Sequence, residues 1–281
     1  MTQHAPGVGS NRGDSNIRSD SNIRIEFRKV SKRFAPQNAG AAPVTAVEDV
    51  SIAIADGEIV SLIGPSGCGK STLLNMGSGL YLPSEGEVFV DGEPVTGPNR
   101  HVAFMLQKDL LLPWRTIREN IEFGLEIRHV DAAQRRDTAM RLLNKCRLSG
   151  FENHYPHQLS GGMRQRAALA RTLAVDPKVL LMDEPFSALD AQTKMVLQRD
   201  LAQTVVEEKK TTLFITHDLV EGVALSDRVL VMSRRPGRIV REMKVDLGDR
   251  GDPFARRLSP RMGAYVKELT DLLDIGHQEL L

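Results

Sequence analysis

Residues Gly64-Pro65-Ser66-Gly67-Cys68-Gly69-Lys70-Ser71-Thr72 constrain this chain more than any other stretch, because of what flanks them. Before them runs the apolar segment Ile59-Val60-Ser61-Leu62-Ile63, and after them Lys70 to Leu80 has helical apolar spacing. Strand, glycine-rich loop and helix form the context in which Gly-x-x-x-x-Gly-Lys-Ser reads as a phosphate site. The glycines let the backbone wrap closely enough for several N–H groups to point at one anion. The helix start adds roughly half a positive charge. On this reading Lys70 reaches the outer phosphates and Ser71 holds Mg2+. The structural alternative is a glycine-rich turn capped by Ser71.

Val179-Leu180-Leu181-Met182-Asp183-Glu184 has the pattern of a buried strand ending in two adjacent carboxylates. A parallel sheet delivers such ends to the edge that carries the glycine-rich loop. Successive strand residues point opposite ways, so one acid faces a metal ion and the next an attacking water. This assigns Asp183 to Mg2+ and Glu184 to the general base, against the alternative of a helix cap around Pro185. In Leu159-Ser160-Gly161-Gly162-Met163-Arg164-Gln165-Arg166, Ser160 is placed to cap a following helix. Gly161 and Gly162 would bare that helix's first N–H groups, making a second anion-binding start.

The remaining pattern is that of an α/β protein. Alternating residues from Ile25, and again over Asp49 to Ile54, predict an antiparallel edge of a mixed sheet, interrupted by a loop at Ala35 to Pro43. Glu87 to Val95 reads as a hairpin turning at Asp91-Gly92. Leu110 to about Ala174 reads as a mostly helical insertion. Strands at Val179–Met182, Thr211–Thr216 and Arg228–Met232, with a helix over Ala191–Glu208, indicate parallel strands and crossovers. A short strand at Ile239–Met243 and a helix near Gly263–Leu273 follow. Residues 1–24, polar and carrying the near-duplicate Asp14–Arg18 and Asp20–Arg24, predict a disordered tail.

Thirty-seven basic residues against thirty-six acidic ones give no net field for nucleic acid or an anionic bilayer. The apolar runs are far short of the ~20 residues that cross a membrane. The polar N-terminus argues against secretion, and two cysteines suit a reducing compartment. These features point to a cytoplasmic protein.

In their order, the three motifs resemble those of the nucleotide-binding subunit of an ATP-binding-cassette (ABC) transporter, over about residues 25–239. The resemblance implies a P-loop NTPase ABC cassette: a mixed sheet core with an antiparallel β edge and a helical subdomain at about 110–174. The ATPase domain would span 25–245, with 246–281 as a C-terminal helical extension. The ligands implied are ATP and Mg2+, and the activity is ATP hydrolysis. By the same resemblance Gln107 senses Mg2+ and the attacking water, and His217, in Phe214-Ile215-Thr216-His217-Asp218, hydrogen-bonds the γ-phosphate. The loop ending Ser187 to Asp190 addresses a partner subunit. Phe34 is the candidate for stacking on adenine, or else a core residue.

In this family Ser160, Gly161 and Gly162 of one subunit would close over ATP held by the other, so the resemblance implies a homodimer. It also implies integral-membrane permease subunits, a solute-binding protein acting indirectly, no nucleic-acid partner, and a peripheral place on the cytoplasmic face of the inner membrane. The segment Leu110-Leu111-Leu112-Pro113-Trp114-Arg115-Thr116-Ile117 corresponds to where the family docks a permease helix, with a core role for Trp114 as the alternative. Leu111 to Trp114, Glu119-Asn120-Ile121, Asp183 to Phe186 and Met232-Ser233-Arg234-Arg235-Pro236-Gly237-Arg238-Ile239 are similar to importers of nitrate, sulfonates and taurine. Ser187 and Gly222 depart from that subfamily's usual residues. An exporter ATPase, or a soluble ABC ATPase acting on nucleic acid or the ribosome, remains as an alternative.

Overall fold

The computed structural model describes residues 22–36, 42–187 and 189–278, with side chains to 273. At its centre is β3 (Ile59–Ile63), buried at every position, as are β8 (Thr211–Ile215) and β9 (Arg228–Met232). Strands buried along their whole length belong inside a sheet covered on both faces. Here the six-stranded order is β10-β9-β3-β8-β7-β6, with β6 at Val102–Met105, β7 at Val179–Asp183 and β10 at Ile239–Lys244. All pairs are parallel except β10 with β9, so the sheet is mixed.

The strands expected at the edge of that sheet instead form a second sheet. β1 (Ile23–Phe34), β2 (Val44–Ala55), β4 (Glu85–Val90) and β5 (Glu93–Pro94) are antiparallel in the order β2-β1-β4-β5. One isolated bridge, Val47 to Gly237, links this layer to the chain just before β10. The expected hairpin is present: Asp91 and Gly92 have φ of 54° and 76°, the left-handed pair that a two-residue turn requires. Of the expected N-terminal tail, residues 1–21 lie outside the described residues, and Ile23 and Arg24 already belong to β1.

Helix α1 (Lys70–Gly77) lies between the two sheets, where Leu73, Leu74 and Met76 join Ile25, Phe27, Ile54 and Leu62 in one core. A second core gathers α2 (Ile117–Ile127), α3 (Ala132–Lys145) and α4 (Gly161–Ala174) with α5 (Ala191–Glu207) and the inner faces of β6 and β7. Each of these helices starts on a side-chain cap. Thr116 and Glu119 form a reciprocal capping box, and Asp131, Ser160 and Asp190 cap α3, α4 and α5. Helices α6 (Leu219–Leu225), α7 (Pro253–Arg257) and α8 (Met262–Gln278) complete the fold. Leu269 of α8 is fully buried in a third core with Val223, Val229 and Val231.

Candidate functional site

The glycine-rich loop leaves β3 at Gly64 and enters α1 at Lys70. Gly67 and Gly69 have φ of 75° and 110°, which L side chains rarely adopt. A Cβ on Gly69 would sit 2.6 Å from the Ala46 carbonyl, so glycine also lets β2 press against the loop. Gly69 is the N-cap, and no side chain caps the helix. This rules out the Ser71 cap and leaves the first amides of α1 for an anion. The Lys70 ammonium donates to the carbonyls of Gly64 (2.7 Å) and Pro65 (2.9 Å). The Cys68 side chain is buried beneath the loop. Above it is a cleft of about 280 Å3, lined by Phe34, Ser66, Gly67, Lys70, Ser71, Thr72, Asp183, Glu184 and Arg235 among others.

Asp183 is the last residue of β7 and faces this cleft. Burial pushes its carboxyl above the usual aspartate range and the Glu184 charge adds to that, while the Ser71 hydroxyl bond and Lys70 pull it back. The alternation expected for the two acids does not hold, because Glu184 has left the strand. Its φ is +46°, and its amide donates to the Ile215 carbonyl at 3.1 Å. The turn carries the Glu184 carboxylate toward two other candidates. Gln107 Nε2 donates to Glu184 Oε2 at 3.3 Å and to Ser187 Oγ at 3.2 Å, and His217 Nδ1 lies 3.4 Å from the same Glu184 oxygen. Glu184, Gln107 and His217 therefore meet beside Asp183, Lys70 and Ser71.

His217 follows β8 and is exposed, but the next residue is fixed. Asp218 caps α6 through the Glu221 amide (3.1 Å) and pairs with Lys194 of α5 (2.9 Å). Burial raises the Asp218 pKa, but its bonds to Lys194 and the Glu221 amide outweigh this and hold it below the usual range. Phe34 is half-buried. It lines the cleft while packing partly on the inter-sheet core, edge-on to Tyr81 at 5.6 Å.

Ser160, Gly161, Gly162 and Asp190 do not line this cleft. The Ser160 hydroxyl accepts from the Met163 amide at 3.3 Å, and Asp190 accepts from the Thr193 amide at 3.0 Å. Gly162 is buried, and a Cβ there would lie 2.2 Å from Thr193 Cγ2, so glycine serves helix packing at that position. Two further residues had no assigned role in the sequence reading. Gln165 Nε2 donates to the carbonyls of Gln107 (3.2 Å) and Pro185 (3.0 Å), tying α4 to the Gln107 segment and to the turn that follows Glu184. Arg235 lines the cleft from the segment after β9. Gln165 stood in a quoted motif, but only the fold shows what its amide holds.

In the segment that follows Gln107, Trp114 is 72 % and Leu110 52 % exposed. The buried Asn120 side chain accepts from the Leu112 amide (2.7 Å) and donates to the carbonyls of Leu112 and Arg115 (both 3.1 Å), bracing this segment so that Trp114 projects outward. The core role for Trp114 is thereby excluded.

The family model described as "ABC transporter" matches residues 47–187. An uncharacterised ABC transporter ATP-binding protein of Methanocaldococcus jannaschii is 45% identical over 230 residues, covering 82% of this chain and 85% of that protein. The taurine import ATP-binding protein TauB of Yersinia pestis is 46% identical over 211 residues, covering 74% and 83%. Among solved structures, the dimeric post-hydrolysis state of the ATP-binding cassette MJ0796 bound to ADP and Pi superposes with a TM-score of 0.70 at 33% identity. That match covers 79% of this chain and 99% of the cassette.

Proposed function

This chain belongs to the ABC transporter family as an ATP-hydrolysing subunit, and from that premise we propose that it energises import of a small anionic solute, such as taurine, another sulfonate or nitrate, through a separate permease. The observation that carries the import reading is the 46% identity to a taurine import ATP-binding protein over 83% of that protein's length. In this reading residues 25–245 are the ATPase domain, with its helical subdomain at 110–174 and residues 246–281 as an extension. Among the described residues no helix is long and apolar enough to cross a membrane, and in this reading the path for the solute belongs to a separate permease.

The site fits ATP with Mg2+. Gly64 and Gly69 let the loop lie against Met232 and Ala46 where a Cβ would strike backbone, and the uncapped start of α1 leaves amides free to wrap around phosphates. Asp183 and the Ser71 hydroxyl, already bonded to each other, offer hard oxygen ligands. Among the described residues no cluster of three or more His, Cys, Asp or Glu could cage a metal. That suits Mg2+, which takes one or two protein oxygens and completes its shell with phosphates and water. The ion would neutralise charge on the outer phosphates.

Around the phosphates, the amides of Gly64 to Thr72 and the Lys70 ammonium bind and orient them. Glu184 takes a proton from the attacking water at its carboxylate. Gln107 and His217, both within 3.4 Å of that carboxylate, fix its direction and hold the water and γ-phosphate. Phe34 stacks on adenine. Ser160, Gly161, Gly162 and Asp190 stand apart from the cleft of their own subunit. They serve the cleft of a second copy, in keeping with the dimeric form of the MJ0796 cassette. Donors supplied in trans to a phosphoryl transition state contribute ~10³ to 10⁵ in rate in other NTPases.

The import reading is tested by deleting the gene for this subunit and growing cells on taurine, alkanesulfonates or nitrate as sole sulfur or nitrogen source. Loss of growth on one of them, restored by the parent gene and not by a Glu184→Gln copy, is expected. Undiminished growth on all of them would refute import of this solute class.

A further inference from the structure

Between β9 and β10, Ser233-Arg234-Arg235-Pro236-Gly237-Arg238 is longer than a tight hairpin needs, and it is built into the phosphate loop. Gly237 is the pivot. Its amide donates to the Ala46 carbonyl and its carbonyl accepts from the Glu48 amide, each at 3.0 Å. A Cβ on Gly237 would come within 2.1 Å of the Cys68 carbonyl, so only glycine lets this segment lie against the loop. Arg238 clamps the far side through two bonds to Glu48 Oε2, at 2.7 and 3.2 Å. Ser233 Oγ closes the turn by accepting from the Arg238 amide at 3.0 Å. From this braced segment Arg235 extends over the phosphate loop, where its Nε donates to the Gly67 carbonyl at 3.2 Å. Its Nη2 lies 3.9 Å from the position a Gly67 Cβ would occupy.

We infer that Arg235 is a phosphate-binding residue of the ATP site, a second cation that grips the nucleotide from the wall opposite Asp183. The inference rests on the reading of Gly64 to Thr72 as the ATP loop. Charge supports it. The side chains lining the cleft include two carboxylates, Asp183 and Glu184, and two cations, Lys70 and Arg235. Without Arg235, Lys70 alone would face two carboxylates and a triphosphate. Position supports it too: β9 and β8 flank β3 on opposite sides, so the segment after β9 approaches the loop from the side away from Asp183 and His217. A guanidinium is the group suited to this place, because its planar fork matches phosphate oxygens in a bidentate bond while Nε stays on a carbonyl.

The test is calorimetric titration of ATP, ADP and adenosine into the full chain and into Arg235→Ala, Arg235→Gln and Arg235→Lys. Arg235→Gln keeps a donor for the Gly67 carbonyl but removes the charge, which separates phosphate binding from support of the loop. Both Arg235→Ala and Arg235→Gln are expected to bind ATP and ADP about 10- to 100-fold more weakly and adenosine as the parent does. Arg235→Lys should recover part of the loss. If Arg235→Gln binds ATP within twofold of the parent, or if adenosine binding falls as far as ATP binding, the inference is overturned. Lys70→Ala serves as the control: should neither the parent nor any variant bind ATP, the loop assignment itself fails.

Discussion

Glu221 enters the interior of α6 with only 2 % of its surface exposed, and there it meets Lys194 Nζ at 2.9 Å and Gln198 Nε2 at 2.8 Å. Burial raises its pKa and the nearby Asp218 charge adds, while bonds to Lys194 and Thr216 recover only part, so the net shift is upward. A carboxyl that holds its proton more tightly when folded stabilises the fold most at low pH. That contribution is lost as pH climbs from the ordinary glutamate value through the raised folded one. Glu221→Gln cannot ionise and should lack this loss. Urea midpoints of parent and variant, measured from pH 4 to 7, should shift in the variant's favour as pH rises across that window. Parallel curves would show that Glu221 carries no such burden. At the phosphate loop, Lys70→Ala should weaken ATP binding by about 1.5–3 kcal/mol, the contribution of a hydrogen bond from a charged group. Unchanged affinity by calorimetry would remove Lys70 from the site. Both acids at the end of β7 were legible as a pair, but their directions were not. The left-handed turn at Glu184 depends on its amide finding the Ile215 carbonyl of the neighbouring strand, a contact remote in sequence.

Elements that carry a local signature were the ones the sequence disclosed. β3, β7, β8 and β9 are short, apolar and bounded by turns, and α4 and α5 begin on the side chains that cap them. β6, only Val102–Met105, carries no such signal, being brief and defined by pairing with β7. Division of the strands into two sheets was equally hidden, because it depends on which strand each edge meets after α1 has been inserted between the layers. Gly162, expected to expose amides, also clears Thr193, and Gly237, absent from the sequence-derived site, clears Cys68. Gly237→Ala should displace the phosphate loop, lowering ATP affinity at least tenfold while far-ultraviolet circular dichroism stays that of the folded parent. ATP binding at parental strength in a folded Gly237→Ala protein would show that this close approach is dispensable. Thr116→Ala should cost about 1 kcal/mol through loss of the α2 capping box, read from the denaturation midpoint.

At the scale of the molecule, one chain gathers the phosphate loop, Asp183, Glu184, Gln107 and His217 on one sheet edge and leaves Ser160 to Gly162 outside that cleft. The phosphate loop alone is thus half of the site proposed here. Trp114, the only tryptophan, stands 72 % exposed at the end of the segment braced by Asn120. Its emission should shift when the subunit docks on the permease proposed for it, and a constant spectrum across formation of the complex would place the contact elsewhere. Hydrolysis driven by the Glu184 carboxylate is most directly tested by phosphate release from the purified chain and its Glu184→Gln variant, at saturating ATP and Mg2+. Turnover by the parent and a loss of ~10² to 10⁴ in the variant, as removal of a general base entails, with ATP binding retained, is the expected result. A Glu184→Gln protein that releases phosphate at the parental rate would contradict it.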